Sequence, residues 1–92
     1  MDYQTRMRTK LTEALAPQRL SIKDVSHRHE GHAGHRPGGE THFDVEIVSE
    51  RFLGLGRVAR QRLVYDLLRD EMAERVHALA LRTLTPDEEA RG

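Results

Sequence analysis

Residues 26–43 read SHRHEGHAGHRPGGETHF, and this stretch holds five of the chain's six histidines: His27, His29, His32, His35 and His42. Glycines and Pro37 run through it at intervals that neither a long helix nor a continuous strand tolerates, because glycine loosens the backbone and proline removes a donor. The stretch therefore predicts an imidazole-rich loop over about residues 27–40. Whatever folds around it must be ordinary, and any chemistry is expected in the loop and in what the fold sets beside it.

The flanking segments predict that fold. Tyr3, Met7, Leu11 and Leu15 recur every four residues with Ala14 alongside, an apolar stripe on a helix that starts near an Asp2 cap and ends at Pro17. LSIKDVS, from Leu20, predicts a strand leading into the loop. ETHFDVEIVS alternates cleanly, with Phe43, Val45 and Ile47 on one face and His42, Asp44 and Glu46 on the other. Phe52, Gly54 and Gly56 mark a turn. Val58, Ala59, Leu63, Val64, Leu67, Leu68 and Met72 then follow helical spacing over residues 57–74, with a break expected near Glu71. Arg62 with Asp66 and Glu71 with Arg75 stand one turn apart and predict helix-supporting pairs. VHALALRTL predicts a third strand, and Thr85-Pro86 opens a short acidic tail, residues 86–92, with a last helical turn. The order is α-β-β-α(α)-β in a single domain of 92 residues. With three strands, the helices must cover one sheet face together, so the expected class is an α+β two-layer sandwich.

Several function classes fall away at this point. Fifteen Asp and Glu cancel fifteen Lys and Arg, so no global field holds a polyanion. No cysteine is present, which removes disulfides, a catalytic thiol and any thiolate metal site built by this chain alone. No run approaches the roughly 20 apolar residues of a membrane span, and a cytoplasmic location is expected, with the basic N-terminal residues leaving an organellar address open. Ser26 and Ser49 lack a nucleophile-elbow context, Glu40, Asp44 and Glu46 read as a solvated strand face, and Gly54-Leu55-Gly56 has neither the glycine spacing nor the lysine of a phosphate loop. An enzyme is not expected.

Two surfaces remain. In the loop, neighbouring histidines two or three residues apart can bring several imidazoles to one centre, for zinc or another divalent metal. The competing reading is that they are solvated. His77 stands alone in an apolar run, where a satisfied structural histidine is the ordinary explanation, and His42 reads as a hydrogen-bonding anchor. Arg51, Arg57, Arg60 and Arg62 gather at the start of the second helix with Glu50 as the nearby acid. They offer a local basic patch for a nucleic acid or a partner's acidic surface, against the plainer reading of solvating arginines.

ETHFDVEIVSERFLG, VARQRLVY and VHALAL, in that order and at these spacings, resemble the signature of the BolA family over residues 11–84. The resemblance implies a fold related to class II KH domains and a non-enzymatic protein. It implies partnership with a monothiol glutaredoxin in iron–sulfur trafficking or iron-responsive regulation, the free chain a monomer and the complex a heterodimer. In some bacterial members it implies DNA-binding transcriptional regulation instead, for which Arg57, Arg60 and Arg62 are the candidate surface. It also makes His77 a ligand of a [2Fe–2S] cluster shared with the glutaredoxin and its glutathione. The second ligand comes from the loop, and in a chain without cysteine it is a histidine. His29 matches by its distance from the first strand, His32 by its distance back from Glu40-Thr41-His42, and His35 lies in the same stretch. Gln61 departs from the family's usual Arg-His-Arg run, so no role rests on that side chain. Imidazole in place of thiolate raises a cluster's potential and makes ligation sensitive to protonation.

Overall fold

A computed structural model describes residues 2–26 and 39–92; His27, His29, His32 and His35 lie outside the described residues. The chain runs α1 (Tyr3–Leu15), β1 (Arg19–Asp24), β2 (His42–Val48), a 3-10 turn (Glu50–Phe52), α2 (Arg57–Leu67), α3 (Arg69–Glu74), β3 (Ala78–Leu84) and α4 (Pro86–Ala90). Asp2 caps α1 by accepting from the Thr5 N–H at 2.7 Å. The helix stops at Leu15 because Ala16 turns left-handed, φ +42°, directly before Pro17, which disfavours a helical residue ahead of it.

The three strands lie in the order β1-β2-β3, with β2 in the centre, antiparallel to β1 and parallel to β3. Register sets Ile22 opposite Val45, and Phe43 and Val45 beside Leu79 and Leu81. That face is buried under Met7, Leu11 and Leu15 of α1, Val64 of α2 and Leu68, with Phe52 and Val76 closing the ends of a single core cluster. Each fully buried side chain of this size contributes about 1.5–3 kcal/mol, so the apolar stripe of α1 and the alternation of β2 suffice to specify the sandwich. The α+β two-layer architecture expected from the sequence is the one observed.

Three details differ from expectation. The second helix divides at Leu68 (φ −105°, ψ 15°), three residues before Glu71. Glu71 forms no helix-surface pair with Arg75. Its side chain is fully buried, and it accepts from Arg6 Nε at 3.1 Å and Lys10 Nζ at 2.9 Å of α1. Glu46 is not a plainly solvated carboxylate either: Arg19 across the sheet binds it and holds its carboxyl below the usual range.

Candidate functional site

The histidine-rich stretch leaves the sheet between Ser26 and Gly39, and the two stems are fastened together. Asp24 accepts from the Ser26 N–H at 2.9 Å and the Ser26 hydroxyl at 2.5 Å through one oxygen, and from the Glu40 N–H at 2.9 Å through the other. Ser26 Oγ in turn accepts from the N–H groups of Thr41 at 2.9 Å and His42 at 3.2 Å. One donor and two acceptor sites are then all in use, the full capacity of a hydroxyl. Arg75 donates from Nε and Nη2 to the Gly39 carbonyl at 3.0 and 2.7 Å. Gly39 sits at φ +72°, where a Cβ would also approach Asp24 Oδ2 to 2.9 Å, so this position requires glycine.

The clamp also fixes His77. Its N–H and that of Ala78 donate to the Thr41 carbonyl at 2.6 and 3.1 Å, which ties the residue ahead of β3 to the residue ahead of β2. The His77 side chain is exposed. His42 is buried beside it, its ring centroid 5.4 Å from that of His77 and its Nδ1 2.9 Å from the Thr41 hydroxyl. Alternation sets His42 in phase with Asp44 and Glu46, but unlike them it is buried. From the sequence, Asp24 and Thr41 carry no role, Ser26 is weighed only as a nucleophile, and Arg75 only as a helix partner of Glu71. A glycine before Glu-Thr-His was the one local sign of a constrained turn.

The second surface is divided by the fold. Arg57 and Arg62 are exposed on α2. Arg60 is committed within the chain, against the expectation that it serves a partner. Its guanidinium donates to the carbonyls of Leu55 at 2.8 Å and Thr83 at 3.2 Å, lies 5.8 Å over the Phe52 ring, and pairs with Glu88 at 2.6 Å. Only 12% of its side chain is accessible. The Arg60 hydrogen bond brings the Glu88 carboxyl from the ordinary value near 4.5 down to about 2, helped by the Thr85 N–H. Ser49, the other candidate hydroxyl, donates to the Leu15 carbonyl at 2.6 Å and caps the 3-10 turn. Among the described residues no three His, Cys, Asp or Glu side chains gather about one metal position, and no helix is long and apolar enough to cross a membrane.

Known proteins share both sequence and fold. The BolA-like protein family model matches residues 11–88. The chain is 51% identical over 86 residues to the chloroplastic protein BOLA1 of Arabidopsis thaliana, covering 91% of this chain and 54% of that protein. It is 47% identical over 87 residues to the chloroplastic/mitochondrial SufE-like protein 1 of the same plant, covering 90% of this chain and 24% of that one. The chain thus spans about half of one relative and a quarter of the other. Among solved structures, the BolA domain of Arabidopsis SufE1 superposes with a TM-score of 0.83 at 45% identity, covering 96% of this chain and 98% of that one. Arabidopsis BolA1 gives 0.84 at 44% identity, with 96% of each chain covered. With its sheet order, its Glu-Thr-His-Phe strand and the histidine ahead of β3 in place, this chain belongs to the BolA-like family.

Proposed function

We propose that this chain is a non-enzymatic adaptor: it docks with a monothiol glutaredoxin and lends imidazole ligands to a [2Fe–2S] cluster shared with that partner and its glutathione. His77 supplies one ligand and one of His29, His32 and His35 the other. The observation that carries this reading is the pose of His77, an exposed imidazole whose backbone is locked to the foot of the histidine-rich stretch. Family membership points the same way. The donor set fits a shared rather than a resident cluster, since the chain has no thiolate and its described fold gathers no three ligands. A partner's thiolates would complete the coordination. When bound, the cluster supplies one-electron chemistry at a potential raised by imidazole ligation.

The chain's own work is positional. Thr41 holds the His77 backbone, while Asp24 and Ser26 fasten the described residues on either side of residues 27–38 to the same junction. We place this action in the cytoplasm. The rival reading, a DNA-binding regulator, loses Arg60 to Glu88 and keeps Arg51, Arg57 and Arg62.

The test mixes the apo chain with a cluster-loaded monothiol glutaredoxin and follows visible absorption and circular dichroism. A mixed-ligand spectrum is expected with wild type, lost in His77→Ala and in one of His29→Ala, His32→Ala and His35→Ala. A normal spectrum from His77→Ala, or no complex by size exclusion, overturns the reading.

A further inference from the structure

Strand β3 is an edge of the sheet, with β2 on its inner side. Its backbone groups alternate between that neighbour and the outside. Ala78 donates to the Thr41 carbonyl and Leu84 accepts from the Ser49 N–H, so Ala78, Ala80, Arg82 and Leu84 turn their backbone groups towards β2. Leu79, Leu81 and Thr83 therefore turn theirs outward, and an outward row of this kind is a template for another strand. An open groove of about 850 Å³ runs along this edge, lined in part by Leu81, Thr83 and Gln61 of α2.

Two side chains of α2 bond to that outward row. The Tyr65 hydroxyl donates to the Leu79 carbonyl at 3.2 Å, and Arg60 Nη1 donates to the Thr83 carbonyl at 3.2 Å. Leu81 stands between them, the middle residue of β3. A second copy added to this edge in the antiparallel sense, with a two-fold axis at Leu81, would set Leu79 opposite Thr83 of the second copy. Arg82 would then lie opposite Ala80 of the second copy, so no like charges would face each other. The edge is thus self-complementary in backbone and in charge. Each pair flanking Leu81 nevertheless meets one carbonyl held by Tyr65 and one held by Arg60.

We infer that Arg60 and Tyr65 guard the β3 edge, and that the surface they close is one for a second copy of this chain, joined edge to edge in one continuous sheet. The Arg60 guanidinium suits the task because it cannot swing away: Glu88 and the Leu55 carbonyl pin it. Natural sheets protect their edges with charged side chains in this way. The inference uses neither His77 nor residues 27–38, so it and the adaptor reading stand or fall separately.

The experiment compares the full wild-type chain with the chain carrying Arg60→Met and Tyr65→Phe, which keep apolar bulk at both positions but donate to neither carbonyl. Mass is read by light scattering after size exclusion, with far-UV circular dichroism as the check on folding. Wild type is expected at the mass of one chain and the double variant at twice that mass. Adding Leu81→Pro, which removes an outward N–H that β2 does not use, should return the double variant to the mass of one chain. Amide hydrogen exchange on the wild type tests the edge even where the double variant unfolds. There the Leu81 N–H is expected to exchange roughly ten-fold or more faster than those of Ala80 and Arg82. A wild type that is already a dimer, a folded double variant that stays a monomer, a dimer that survives Leu81→Pro, or a Leu81 amide as slow as its neighbours overturns the proposal.

Discussion

At the scale of single residues, two positions carry more than their size suggests. Gly39 and Gly54 both have positive φ, +72° and +80°, but a Cβ at Gly39 meets Asp24 at 2.9 Å whereas one at Gly54 meets nothing within 4 Å. Alanine at either site costs about 1 kcal/mol for its backbone conformation. Gly39→Ala is expected to cost a further 1 kcal/mol or so by displacing the Asp24 carboxylate from the Ser26 and Glu40 N–H groups. Urea denaturation of the two variants side by side measures that difference. Glu71 makes an asymmetric prediction. Removing it leaves Arg6 and Lys10, whose side chains are 27% and 35% accessible, able to turn to water. Removing both cations strands a carboxylate with no accessible surface. Arg6→Met with Lys10→Met should therefore cost about 3–5 kcal/mol, and Glu71→Gln clearly less, in the same urea experiment. Neither effect was legible in the sequence. Glu71 reads as a surface residue of a helix, and its partners lie 65 and 61 positions away.

Among elements, legibility follows the range of the forces involved. Strand β2 and helix α1 are written in local periodicity, and both stand where that periodicity puts them. The break between α2 and α3 comes at Leu68 because Leu68 is wholly buried and Glu71 must reach α1, constraints that come from another part of the chain. Spacing marked the loop histidines as candidate ligands, but His77, isolated in an apolar run, was marked as one only by the resemblance. Arg60 was misjudged for the same reason as Glu71. Its partner, Glu88, is on α4, whose capping box of Thr85 and Glu88 holds that carboxylate in place. Glu88 gives the pH prediction. Its carboxyl titrates at about 2 in the fold against about 4.5 ordinarily, so its contribution is present above about pH 4.5 and is lost as pH falls towards 2. Glu88→Gln should lower stability at neutral pH and flatten the acid loss between those limits. Thermal melts of both chains from pH 6 to pH 2 check the slope.

Across the whole molecule, the described residues on either side of residues 27–38 are joined directly to one another. Val25 donates to the His42 carbonyl at 2.9 Å, and Asp24, Ser26 and Thr41 complete the junction. Shortening that segment to half its length should leave the fold intact and raise stability by about 0.6 kcal/mol, the difference in closure entropy, as read by urea denaturation. The same variant should lose the cluster spectrum with glutaredoxin. The fastened stems thus make residues 27–38 a cassette. Its length and its side chains can drift, or be exchanged by an engineer, while the scaffold on either side stays untouched, so new metal preferences can be tried without folding being put at risk.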